Sequence, residues 1–179
     1  MKAQRPGLRQ KRGSIIAEFP IALWILFFCF TYPFLDMCTI LLRYTFFVAA
    51  VRDGVHDAAQ SKTFLVNNSA SDLSATNNAK AGVALTAGAF REIQVNSVTT
   101  SILATNITTL ALTKYTAPLA TPADPSTYLY ELQSTVSGFI YPLITLRAGL
   151  LPPVPGLTAP IRVTVTGREF CEYPQGLNR

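Results

Sequence analysis

Histidine occurs once in this chain, tryptophan once and methionine twice. Charged residues make up only 14% of it, against about a quarter in ordinary soluble domains. These scarcities narrow the function. The one histidine, His56, stands beside Asp57, and such a pair can orient a base. No nucleophile motif such as G-x-S-x-G accompanies it. There is no glycine-rich phosphate loop and no cluster with metal-ligand spacing. The cysteines Cys29, Cys38 and Cys171 form no C-x-x-C pair. Asn67-Asn68-Ser69 and Asn106-Ile107-Thr108 fit the glycosylation acceptor pattern, which arises often by chance. The expectation is a protein that is not an enzyme, with no catalytic residues, no cofactor, no metal and no small-molecule substrate.

Acidic residues are absent from the first thirteen positions, which hold Lys2, Arg5, Arg9, Lys11 and Arg12. The net charge of +5 and the pI near 9.3 come from this one cluster. Without those five, ten basic residues face ten acidic ones. No basic patch follows, so nucleic acid is not an expected partner. A basic cluster abutting an apolar run is a topology signal that keeps the N-terminus cytoplasmic.

The apolar run explains a mean hydropathy of +0.29 and a hydrophobic fraction of 49%. From residue 14 to 35 the only charge is Glu18. These residues make about 33 Å of helix, enough to cross a hydrocarbon core. Backbone in lipid must satisfy its own hydrogen bonds, which forces helix there despite Pro20 and Pro33. Past Asp36 the pattern turns amphipathic. Met37, Ile40, Leu41, Tyr44, Phe47, Val48, Val51, Val55 and Ala58 recur at helical spacing, with Arg52, Asp53, His56, Asp57 and Gln60 opposite. One helix over residues 14–60 therefore joins a membrane half to a half able to dock on a folded domain.

Residues 61–179 read as that outer domain. A polar loop over residues 67–78 precedes a short helix over 79–90, capped by Ser71 or Ser74 and weakened by Gly82 and Gly88. Strands are expected over 93–102, 107–113, 128–136 and 161–166, with Pro118, Pro122 and Pro125 marking the connection before Tyr128. The apolar, proline-rich stretch 139–157 is either a loop folded over the sheet or docked helix, or a partner-facing patch. Cys38 and Cys171 both lie beyond the span, where oxidation is permitted. A bridge between them stays open, against two unpaired small apolar residues. The fold class is α+β: a long N-terminal transmembrane and amphipathic helix, then a small, mainly antiparallel sheet.

The chemistry concentrates in Gly13-Ser14-Ile15-Ile16-Ala17-Glu18-Phe19. A glycine before a cleavage point lets a protease hold extended backbone without a clash. Cutting after Gly13 creates an α-amino group on Ser14. Glu18 is a carboxylate at the mouth of an apolar helix, costly there unless paired, and that amine on a neighbouring subunit is a natural counter-charge. This arrangement resembles the processing site of type IV pilin-like proteins. Arg12-Gly13-Ser14 through Glu18-Phe19-Pro20 is similar to TadE/TadF-like minor pseudopilins of tight-adherence (Tad, or Flp) pili. Ala49-Ala50-Val51-Arg52-Asp53-Gly54-Val55-His56-Asp57-Ala58-Ala59 is similar to the end of that family's first helix, and Phe139-Ile140-Tyr141-Pro142-Leu143 more loosely to its last strand region. His56 stands where the family commonly has arginine. The resemblance implies cleavage by a prepilin peptidase, a role in pilus assembly with other pilins, pseudopilins and assembly proteins, and residence in the bacterial inner membrane with the outer domain periplasmic. Two other readings compete: an uncleaved single-span protein with an extracytoplasmic binding domain, and a signal peptide cut after Ala50.

Overall fold

A computed structural model describes residues 11–65, 73–143 and 154–179, with side chains from Glu18 onward. The first ten residues of the cytoplasmic, unfolded basic leader expected over 1–13, the candidate cap Ser71, the acceptor site at Asn67 and the middle of the proline-rich stretch lie outside the described residues. Helix α1 runs from Lys11 to Ala59, 49 residues and about 73 Å, with Pro20 and Pro33 inside it. It begins three residues before Ser14, so the last part of the expected leader is helical. Helix α2 is Ala75–Gly88. Strands β1 (Ile93–Asn106), β2 (Leu112–Tyr115), β3 (Tyr128–Ile140) and β4 (Ile161–Phe170) form one antiparallel sheet in the order β2-β1-β3-β4.

The two halves of α1 have opposite surfaces. Before residue 36 its large side chains are exposed, among them Phe19, Trp24, Phe30 and Phe34 at 60–70%. Only 6% of its most apolar 18-residue window is buried, so this is not the core helix of a soluble domain. It is long and apolar enough to span a membrane. Farther on, Phe47, Ala50, Val51, Val55, Ala58 and Ala59 are fully or almost fully buried. That seam repeats every three or four residues and forms the spine of the outer domain. The expected stripe is narrower than its sequence pattern. Met37, Leu41 and Tyr44 share the spacing but are 60%, 62% and 42% exposed. They continue the outward apolar surface of the membrane half. A cut after Ala50 would divide the buried seam itself.

Both helices cover one face of the sheet. A layer near the far end packs Ala58, Phe64, Ala79, Ile102, Leu132 and Leu177. A second, nearer the membrane half, packs Phe47, Val51, Val83, Val136 and Ile140. Between them Thr100 and Ser134 are buried and meet through their hydroxyls at 3.3 Å, which satisfies both inside the core. On the opposite face hydroxyls also pair across strands, Ser97 with Ser137 at 2.8 Å and Thr135 with Thr166 at 3.2 Å. The register slips between Val95 and Ser97, leaving Asn96 as a bulge. That extra residue turns both Val95 and Val98 toward the helices, although they stand three apart.

Strands β3 and β4 run on to Ile140 and Phe170, past their expected ends, so that Phe139 and Ile140 of the proline-rich stretch are strand. Three further expectations change in detail. The short helix starts at Ala75, four residues early, because Ser74 is the cap and accepts from the Asn77 amide at 3.4 Å. The strand expected to end at Ile102 continues to Asn106. The one expected over 107–113 is mostly turn, with pairing only from Leu112. Asn106 makes that turn, its Oδ1 accepting from the Thr108 and Thr109 amides at 2.9 Å. Its asparagine motif thus has a structural use. Cys38 and Cys171 are free. The Cys171 amide donates to Tyr130 O and the next amide to Ala59 O. Cys38 is 21 residues back along the helix from Ala59, about 32 Å. A bridge within one chain is excluded.

Candidate functional site

Gly13, Ser14 and Glu18 occupy the first turns of α1. In this helix residues 14 and 18 stand one turn apart on one face, and a helical side chain leans toward the N-terminus. The Glu18 carboxylate, which is exposed, therefore leans toward the level at which an amine on Ser14 would appear. The Gly13–Ser14 bond itself is helical. A protease that binds extended chain must first unwind this end, and a first turn frays at little cost.

At the other end of the apolar half, α1 is tied to the outer domain by two polar residues whose role the sequence reading did not assign. Asp36 is 1% exposed, and its Oδ1 accepts from the Leu143 amide at 2.6 Å. Its Oδ2 is buried and meets no hydrogen-bond partner among the described residues. Arg43, two turns on, donates from Nη1 to the Tyr141 carbonyl. Together they clamp the chain leaving β3 onto the helix. Pro142, between the clamped residues, is fully buried. The proline-rich stretch is thus folded against the helix at its described ends: Gly156, at φ +84°, faces Ile40 and Ile161. A signal was present. Asp36 and Arg43 are isolated charges in an otherwise apolar stretch, and such charges need partners. Asp36 had served only to mark the end of the span.

His56 also acquires a partner far away in sequence. Its Nδ1 donates to Glu169 Oε1 on β4 at 2.7 Å, and its Nε2 lies 3.0 Å from the Gln60 side-chain amide. Asp57, its sequence neighbour, lies instead against Gly82 of α2. The Glu169 hydrogen bond and then its charge raise the His56 pKa above the ordinary 6.5. The sign follows from that direction. The pair's contribution to stability is fully present below the unfolded histidine pKa and is lost as pH rises through the raised folded value. Both side chains are substantially exposed, at 53% and 38%, so screening keeps this contribution small. NMR titration of His56 should give a midpoint above 6.5, and Glu169→Gln should return it toward that value. An unchanged midpoint in the variant would exclude Glu169 as the cause.

Beside this pair, Val48, Val51, Arg52, Val55 and β4 residues Val165–Glu169 line an open groove between α1 and the edge of the sheet. Strand β4 is an edge, and its exposed Arg162 and Arg168 discourage another strand from adding there. No group of three or more histidine, cysteine or acidic side chains is placed to hold a metal among the described residues. Burial raises the Cys171 thiol, which keeps it in its unreactive protonated form. The arrangement can anchor, dock and pair charges. The chain matches no known protein family, no curated protein and no solved structure.

Proposed function

We propose that this chain is a minor pseudopilin-like subunit of a Tad/Flp-type pilus, cut after Gly13 by a prepilin peptidase and held in the bacterial inner membrane with its outer domain periplasmic. One observation carries the reading. A single unbroken helix has a bare apolar half that begins beside Gly13 and Glu18, while its other half is the spine of a small sheet domain. An ordinary anchor needs only about 20 residues. Here the anchor and the core of the domain are one rod, so lateral packing of the rods would carry the outer domains with it. The work is assembly: helices wait in lipid, lose the basic leader, and pack beside other pilins and pseudopilins. The helical Gly13–Ser14 bond supports a second reading, an uncleaved single-span protein with an extracytoplasmic binding domain.

Intact mass of the membrane-extracted protein, from cells with an active prepilin peptidase, separates the two. The pilus reading expects loss of residues 1–13 and a new terminus at Ser14. Gly13→Val should retain the leader, because its side chain clashes with a protease that holds glycine there. Recovery of the parent chain with the leader intact overturns the pilus reading and leaves the tethered domain.

A further inference from the structure

The end of the outer domain nearest the membrane half of α1 has an apolar floor. Leu143 is held to Asp36 through its amide, and Gly156, two residues after Val154, packs on Ile40. Asp36 and Ile40 are one helical turn apart, about 6 Å along the axis. The other contacts named between α1 and the sheet side of the domain lie farther along the helix, at Arg43, Phe47, Val51, Val55, His56 and Ala58. Among the described residues of the domain, Leu143 and Val154 therefore stand lowest, at the level of Asp36 to Ile40, just past the last residue of the expected span. Both turn their side chains outward, at 53% and 44% exposure. Beside them Met37, Leu41 and Leu42 are 60%, 62% and 56% exposed, continuous with the bare surface of Phe34 and Leu35. A floor facing water would have no use for this run of exposed apolar side chains.

We propose that Leu143 and Val154 are lipid contacts that seat the folded domain in the interfacial layer of the bilayer. The clamp at Asp36 and Arg43 then fixes the height and tilt of the domain on its membrane helix. Two observations select lipid over a second copy of the chain. The exposed Met37, Leu41 and Leu42 carry the apolar surface of the membrane helix past the level of Asp36 and Ile40, where Leu143 and Val154 stand. Just above it, two exposed arginines face outward: Arg162, paired with Phe139, and Arg91, two residues before Ile93 at the same end of the sheet. Glu92 is the one exposed acid beside them. Arginines above an apolar floor match the phosphate layer above the acyl chains. A second copy would bring the same arginines against them.

The inference rests on the membrane reading of α1, shared by both functions above, and the single tryptophan tests that reading separately. The full chain is reconstituted in vesicles with lipids brominated near the headgroup end of their acyl chains. In the parent protein Trp24, midway along residues 14–35, should be quenched by a second lipid brominated near the methyl end of its chains; if it is not, the membrane reading itself fails. With Trp24→Phe as background, Leu143→Trp and Val154→Trp should each show blue-shifted emission, lose more intensity to the lipid brominated near its headgroup end than to the other, and resist iodide. Leu85→Trp on α2, at a position 79% exposed, should be quenched by iodide and ignore the lipid. If positions 143 and 154 behave like position 85, the domain stands clear of the membrane and the proposal is overturned. Blue-shifted emission that the brominated lipid does not quench means a protein occupies the floor, and overturns it equally.

Discussion

Gly54→Leu should separate α2 from α1 and lower the stability of the outer domain by about 3 kcal/mol or more, at the upper end of overpacking effects. The reason is a backbone-to-backbone crossing. A β-carbon on Gly54 would lie 2.5 Å from Val83 Cγ2 and 2.8 Å from the Ala79 carbonyl oxygen. One on Gly82 would lie 3.0 Å from the Gly54 Cα. A flexible side chain can step aside, but a helix carbonyl cannot without moving the helix. Moving α2 would pull Val83 from the layer it shares with Phe47 and Val51, and Phe90 from its stack on Phe46 at 3.8 Å. It would also break the hydrogen bond from Thr86 Oγ1 to Asp53 Oδ2. Gly88→Ala is the control. Nothing lies within 4 Å of a β-carbon there, so alanine should be neutral or should stabilise by up to about 1 kcal/mol through helix propensity. Thermal unfolding of the purified protein, followed by circular dichroism, reads both. A Gly54→Leu protein that melts with the parent would show that the helices do not meet so closely.

Gly82 and Gly88 illustrate how far the sequence can be read. Both weaken α2 equally on propensity, and nothing local marks one as a crossing point and the other as a loose end. The difference comes from α1, whose Gly54 lies 28 residues earlier. Periodicity exposed what depends on one element alone. The alternation of Ile161, Val163 and Val165 reappears as half-buried against exposed positions along β4. The cap at Ser74, the two halves of α1 and the α+β class were equally local. What failed was long-range. Asn106 looks like the end of nothing in particular until its side chain closes the turn before β2. The bulge at Asn96 is needed only because Val95 and Val98 must both reach helices. Met37, Leu41 and Tyr44 obey the amphipathic spacing yet face outward, since spacing names a stripe and not its partner. Gly13, Ser14 and Glu18 stand out as a candidate group because they lie within six consecutive residues. Asp36, Arg43 and Glu169 were not, because their partners lie roughly a hundred residues away.

On the proposed pilus reading, Glu18→Ala should leave cleavage intact but reduce recovery of the subunit with the proposed pilus components by two orders of magnitude or so. A carboxylate carried into lipid or between apolar helices is costly until neutralised, and removing one member of a buried ion pair typically costs about 3–5 kcal/mol. Since about 1.4 kcal/mol is a tenfold change in affinity, about 3 kcal/mol accounts for that loss. The counter-charge proposed here, the Ser14 amine, exists only after the cut, when Ser14 becomes a chain end. Glu18→Gln separates charge from size: glutamine keeps the shape and some hydrogen bonding but not the attraction, so it should resemble alanine more than glutamate. The two sites are then coupled in a definite way. With Gly13→Val already blocking cleavage there is no free amine for Glu18 to meet, and adding Glu18→Ala should cause little further loss. Measured as a double-mutant cycle, the coupling between positions 13 and 18 should approach the full effect of Glu18→Ala alone. Independent, additive losses would mean that Glu18 acts on something other than the new terminus. Normal assembly of the cleaved Glu18→Ala protein would remove charge pairing from the mechanism while leaving the processing site untouched.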